Sequence, residues 1–271
     1  MVTKKILIWV MAALVTLAAS YYQRQTGPTK PMKMKTELNG ESYEFKLTRS
    51  ASIFEGCIVS VPDHKSIDKA VVVYKKYPGD FLPDSVEMQK NNDNLTASLP
   101  IQPAAGKLQY YLILYQDGDV VFTNADDTAI VRFKGNVPGW ALIPHVLFMF
   151  LAMFVSTAAM LMAIFNIGNI KNTSILAFGI LALGGFVFGP IVQNYAFGQA
   201  WTGWPVGYDL TDNKVLIAGI VWLLAVLLNL YKKRRWAVIV AGIVLLGMFI
   251  IPHSSRGSEF DYETGEVKTG K

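Results

Sequence analysis

Two histidines stand where buried imidazoles could do chemistry. His145 lies five residues into an apolar run that begins at Trp140, just after Pro144, and His253 follows Pro252 at the end of another. Met149 and Met153 come four and eight residues after His145, on its face if the run is helical. Imidazole and thioether suit haem iron and Cu(I), so His145, His253 and Met149 are candidate ligands of haem b or copper, with the identity of any metal open. The same groups could line a quinone or lipid pocket instead. They could also form a structural polar clasp, with methionine as ordinary apolar filler.

A second cluster lies between the third and fourth apolar runs after the N-terminus is counted. Residues 193–214 contain Trp201, Trp204, Tyr208, Asp209 and Asp212, a density of aromatics and short acids beyond what a simple connector needs. This predicts a structured cap that binds a ligand or clasps the helices. Thr211 or Asp212 is a good N-cap for the run that follows. Other chemistry is excluded. The single cysteine, Cys57, rules out an intramolecular disulfide and a Cys-based zinc or iron–sulfur site. It reads as a small buried hydrophobe, and His64 beside Asp63 as a solvated turn residue. No nucleophile elbow, phosphate loop or paired-carboxylate signature occurs in residues 23–138, so the reading leans away from an enzyme.

The elements that must position these residues follow from composition. Of 271 residues, 52% are hydrophobic and only 17% charged, against about a quarter charged in soluble domains, so the apolar excess belongs in a bilayer. The net charge of +5 is not a nucleic-acid footprint, because Tyr21 to Pro138 carries 14 basic and 14 acidic residues and is neutral. The excess flanks apolar runs, at Lys4, Lys5, Lys171 and Lys232 to Arg235. That is the distribution of cytoplasmic loops.

The first run, residues 1–22 with its basic flank, reads as an uncleaved signal anchor, with cleavage as the alternative. Four more, at about 140–165, 175–192, 215–231 and 236–251, each look long enough to cross the hydrocarbon, and none holds a Lys, Arg, Asp or Glu. Starting with Lys4 and Lys5 inside, residues 23–138, loop 193–214 and tail 253–271 fall outside and every basic loop falls inside. His145, His253, the tryptophan loop and the tail from Arg256 to Tyr262 then share one membrane depth. Gly185-x-x-x-Gly189 offers a small-residue face for packing within the bundle or for homodimerisation.

Residues 23–138 change period. Tyr43 to Leu47 alternates apolar and polar, and similar segments recur at Cys57 to Val61, Ala70 to Tyr77, Leu95 to Leu99, Leu108 to Tyr115, Val120 to Thr123 and Ala129 to Phe133. Seven or eight short strands predict a β-sandwich. Val71-Val72-Val73-Tyr74-Lys75, Val86-Glu87-Met88 and the stretch Leu95 to Tyr111, with its Ala97-Ser98-Leu99-Pro100-Ile101-Gln102-Pro103 turn, resemble immunoglobulin-like or fibronectin-III-like modules of bacterial exported proteins. The resemblance implies a fold module over about residues 40–135, not an activity. The order of the whole chain resembles that of uncharacterised bacterial multi-pass membrane proteins.

The expected architecture is therefore a β + α membrane protein, with a signal anchor, an exported immunoglobulin-like sandwich and a four-helix transmembrane bundle at 139–252. The function it suggests is non-catalytic: a multi-pass protein of the bacterial inner membrane whose periplasmic domain binds a periplasmic or membrane protein partner, as an assembly, sensory or complex subunit. The alternative is a redox subunit binding haem, copper or quinone through His145 and His253. Nucleic acid is not an expected partner.

Overall fold

Alternation of side chains across a pleated strand accounts for the first domain. The computed structural model describes residues 2–253 and 257–269. Within it, Thr29–Asn136 and Ser258–Lys268 form a β domain, and the remaining described residues a helical one. The strands are β1 (Met32–Leu38), β2 (Glu41–Leu47), β3 (Ser50–Ser52), β4 (Cys57–Pro62), β5 (Lys69–Tyr77), β6 (Asp84–Glu87), β7 (Gln89–Asn91), β8 (Asn94–Leu99), β9 (Lys107–Gln116), β10 (Asp119–Thr123) and β11 (Ala129–Lys134). All seven strands expected from alternation are present. β6 overlaps the Val86-Glu87-Met88 segment of the immunoglobulin-like resemblance, and β1, β3 and β7 lie outside the expected strands.

One sheet runs β3-β11-β9-β5-β6, with β10 added on β9; a second runs β4-β8-β7; β1 and β2 pair as a hairpin. Every pairing is antiparallel except that of β3 with β11. The sheets share one core. Cys57, Val59 and Val61 of β4 and Leu95, Ala97 and Leu99 of β8 belong to the same buried cluster as Leu108, Tyr110, Leu112 and Leu114 of β9. Each such fully buried apolar side chain contributes about 1.5–3 kcal/mol. Asn39-Gly40 closes the β1–β2 hairpin with both residues at positive φ, the two-residue turn whose twist matches the strands.

The C-terminal segment corrects an expectation. Residues 258–268 belong to the β domain, where β12 (Glu259–Phe260) pairs with β13 (Val267–Lys268). The anchor is Tyr262, whose hydroxyl accepts from Lys107 N at 3.1 Å and donates to Lys107 O at 2.9 Å. Arg132 donates to Ser258 O at 2.5 Å, and Lys107 pairs with Glu259. A polar segment folds here because the start of β9 offers it unpaired backbone groups.

The helical domain comprises α1 (Val2–Thr26), α2 (Gly139–Phe165), α3 (Ile170–Leu181), α4 (Gly189–Phe197), α5 (Leu210–Tyr231) and α6 (Arg235–Ile250). A π-helical segment, Ala182–Phe188, joins α3 to α4 into one continuous run. Four runs, Thr3–Thr26, Gly139–Phe165, Ile170–Phe197 and Leu210–Tyr231, are long and apolar enough to cross a membrane. The fifth differs from expectation: α6 has 16 residues, about 24 Å at the usual helical rise, short of the ~30 Å hydrocarbon thickness.

α1 is also more than an appended anchor. Ile8, Ala12, Thr16 and Ala19 form a buried stripe along it, and the Trp9 ring meets Phe154 of α2 at 5.2 Å. Glycines set the closest helix approaches. A Cβ at Gly185 would come 2.5 Å from Val215 Cγ1, and one at Gly242 would come 2.5 Å from Met160 Cβ. The small-residue face at Gly185 is thus filled by α5 of the same chain.

Candidate functional site

A helix end leaves carbonyls without intrahelical partners, and in this domain side chains from neighbouring helices answer them. At one end the basic residues do so. Arg235 donates to Ala163 O and Ile164 O of α2 at 2.7 and 2.9 Å, and Lys171 donates to Leu230 O of α5 at 2.9 Å. Lys233 reaches Asn166 Oδ1 at 2.7 Å. Cations at helix C-termini also complement the macrodipole.

The opposite end holds the candidate site. Gln23 of α1 donates to Phe249 O of α6 at 2.5 Å and lies 3.1 Å from His253 Nδ1. Lys214, on the second turn of α5 and only 4% exposed, donates to Ile251 O at 2.8 Å and Pro252 O at 3.3 Å. The short α6 therefore ends in a ring of donors supplied by α1 and α5. Sequence reading treated Lys214 as the last residue of a loop. Its only signal was a lone cation at the head of an apolar helix.

The tryptophan loop is shorter than expected. α4 runs on to Phe197 and α5 begins at Leu210, so the connector is Gly198 to Asp209. Asp209, rather than Thr211 or Asp212, is the N-cap of α5, its Oδ1 accepting from Thr211 N at 2.7 Å. Asp212 pins the loop instead: Oδ2 accepts from Thr202 N at 2.6 Å and from Thr202 Oγ1 at 3.1 Å. Gln193 donates to the same hydroxyl at 2.5 Å, and Asn213 accepts from Trp204 N at 2.7 Å. Trp201 stacks on Phe186 at 6.1 Å and donates to Trp204 O. Trp204 and Tyr208 are exposed.

His145 is half-buried, with Nδ1 2.9 Å from Gly184 O. The ring must carry its proton on Nδ1 to donate there. Gly184 O belongs to the π segment and also accepts from Gly189 N. His253 keeps an exposed edge, yet the crowding helix ends, and after them the Lys214 ammonium, disfavour its protonation and lower its pKa. The imidazole is neutral at pH 7.

Met149, Thr211, Lys214 and His253 line one cavity, and its volume is about 20 Å3, room for a single water. Cofactor and ligand pockets run to hundreds of Å3. Among the described residues no cluster of three or more His, Cys, Asp or Glu could hold a metal ion.

No family model, curated protein or solved structure matches this chain. Function is therefore argued from geometry. The structure places Met149, Asp209, Asp212 and both histidines in the helical domain, where Asp209, Asp212 and His145 are engaged by the chain's own backbone and loop and His253 lies beside the Gln23 side chain. Arg256 lies outside the described residues. A wider opening lies on the β domain: a cleft of about 430 Å3, with Lys76, Phe81 and Leu82 on its walls and Leu108 among its lining residues.

Proposed function

We propose that this chain is a non-catalytic multi-pass protein of a bacterial inner membrane, whose immunoglobulin-like β domain faces the periplasm and binds a protein partner. The carrying observation is the open cleft of the β domain. The helical domain holds a water-sized cavity, while the β domain carries a cleft of about 430 Å3. The immunoglobulin-like assignment is supported by the strand order: a short first strand lies parallel to the last in the sheet β3-β11-β9-β5-β6, with β4-β8-β7 as the second sheet. Retention of α1 is supported by its buried stripe, and the inside assignment of the basic loops by their shared position at one end of the bundle.

The test uses full-length protein in native membranes, with a photoreactive residue at Leu82 and, for comparison, at Lys46 on β2. The expected outcome is a discrete adduct at Leu82 alone. The redox alternative draws on one observation, that the Gly184 hydrogen bond leaves His145 Nε2 as a potential ligand atom. A Soret band or stoichiometric metal in purified protein, lost in both His145→Ala and His253→Ala, would replace the binding role with that alternative.

A further inference from the structure

The cleft on the β domain follows a strand edge. β6 pairs with β5 only from Val71 to Tyr74, ending at Tyr74 opposite Asp84. β5 runs on through Lys75, Lys76 and Tyr77, and there it pairs with β9 alone. Tyr74, Lys75 and Lys76 all line the cleft. Consecutive strand residues point to opposite faces, so a cleft touched by three in a row includes the open edge; Leu108 of β9 and Gln102 before it carry the cleft from that edge over one face of the sheet. That edge presents about 10 Å of backbone without a neighbouring strand. Phe81 and Leu82 supply an apolar wall, and Leu82 is 92% exposed.

The cleft is lined by two lysines and one carboxylate, a net positive charge. Neither Lys75 nor Lys76 has an acidic partner within ion-pair distance among the described residues. Lys76 Nζ instead lies over the Phe81 and Tyr262 rings, 5.7 and 5.0 Å from their centres. The acid on the rim, Asp84, is engaged already: Oδ2 accepts from Tyr74 at 2.9 Å and Oδ1 from Ser85 N at 2.7 Å. Tyr262 comes from the C-terminal hairpin and meets Phe81 edge-on at 5.7 Å, so the tail buttresses the wall.

We infer that the cleft binds an extended acidic segment of a partner protein, which adds as a strand to the free edge of β5. This rests on the partner-binding role proposed above and names the chemistry of its ligand. Backbone pairing along Lys75 to Tyr77 supplies register, carboxylates on the segment meet Lys75 and Lys76, and its apolar residues cover Leu82. A free strand edge left open in a soluble domain is an aggregation hazard, and a regular occupant removes it.

The experiment uses full-length protein in lipid nanodiscs and a fluorescent peptide, Val-Thr-Val-Glu-Glu-Val-Thr-Val, read by anisotropy. Saturable binding is expected. Lys75→Glu with Lys76→Glu weakens it about tenfold, as for reversing two partly exposed charges, while Lys46→Glu on β2 leaves it unchanged. A peptide with lysines in place of the glutamates, and one with methylated backbone nitrogens on the pairing edge, both fail to bind. Protection of Cys57 from alkylation verifies that each variant is folded.

Equal binding by the charge-reversed protein or by the N-methylated peptide overturns the inference. So does displacement of the peptide by phosphatidylglycerol vesicles that themselves depend on Lys75 and Lys76, which would make the edge a lipid contact. A Leu82 adduct in native membranes without peptide binding leaves the partner role standing and removes the acidic-strand assignment. Absence of both removes the partner role too.

Discussion

Replacing Lys214 by methionine tests whether the polar ring at the end of α6 holds the helical domain together. The residue is 4% exposed, and its ammonium donates to Ile251 O at 2.8 Å and Pro252 O at 3.3 Å. A hydrogen bond from a charged donor is worth about 1.5–3 kcal/mol, and the longer of these two counts for less. Methionine fills similar volume, but it leaves two helix-end carbonyls unanswered and takes the cation from the field of Asp209. Relief from burying an ammonium offsets part of the loss. The net expectation is a destabilisation of about 2–3 kcal/mol. For a domain of this size that is a fall in Tm of roughly 4–12 °C. Intrinsic tryptophan fluorescence of detergent-purified protein during heating measures it, since Trp222 is fully buried in the helical core. Lys214→Gln, which keeps a donor, falls between wild type and Lys214→Met. Lys171→Met, which removes an exposed cap on Leu230 O, shifts Tm by no more than about 1 kcal/mol equivalent. A Lys214→Met protein as stable as wild type would refute the clasp as a source of stability.

Three further outcomes are expected. Gly242→Ala sets a Cβ 2.5 Å from Met160 Cβ and forces α6 from α2, costing about 1–3 kcal/mol; Met160→Ala in the same chain recovers part of it, and independent additive effects would show that the two helices are not in close contact. Burial pushes the Cys57 thiol pKa up to about 12 with 1% of the residue exposed, so maleimide at pH 8 labels it only after denaturation, and rapid labelling of native protein would count against the buried β4 face. His253 has its pKa lowered in the folded state, so the unfolded chain takes up its proton first; stability is full above the ordinary value near 6.5 and declines as pH falls below it. His253→Gln, unable to titrate, shows a shallower loss of Tm from pH 7 to 5, and parallel curves for the two proteins would exclude His253 as the cause.

The β strands show how far a linear pattern reaches. Cys57 to Val61 and Leu108 to Tyr115 alternate because one face of each is buried, and the structure places both as expected. The β1–β2 hairpin was equally legible. Met32, Met34 and Leu38 alternate with polar residues, and Asn39-Gly40 is a strong two-residue turn signal, so a strand ahead of Tyr43 is written in the sequence as well. The strands β3, β6 and β7 are three or four residues long, too short for a period to stand out, and exist because a neighbouring strand supplies their hydrogen bonds.

Composition and charge by themselves determined that the apolar residues gather into membrane-length helices, that basic residues flank them, and that an alternating domain lies between the first and second. These properties depend on residue type and near-neighbour spacing, which the chain carries wherever it folds. Tertiary structure alone decided where the polar groups end. It gave Lys214 and Gln23 to the carbonyls of α6, Asp212 to Thr202, and His145 to Gly184 O, because a buried donor or acceptor takes whichever partner packing brings within 3 Å. It also carried the C-terminal hairpin to the start of β9 and ended the pairing of β6 with β5 at Tyr74, leaving the edge of β5 open beyond it. Such contacts join different elements at separations from 10 to 226 positions and follow no period, so no spacing in the sequence announces them.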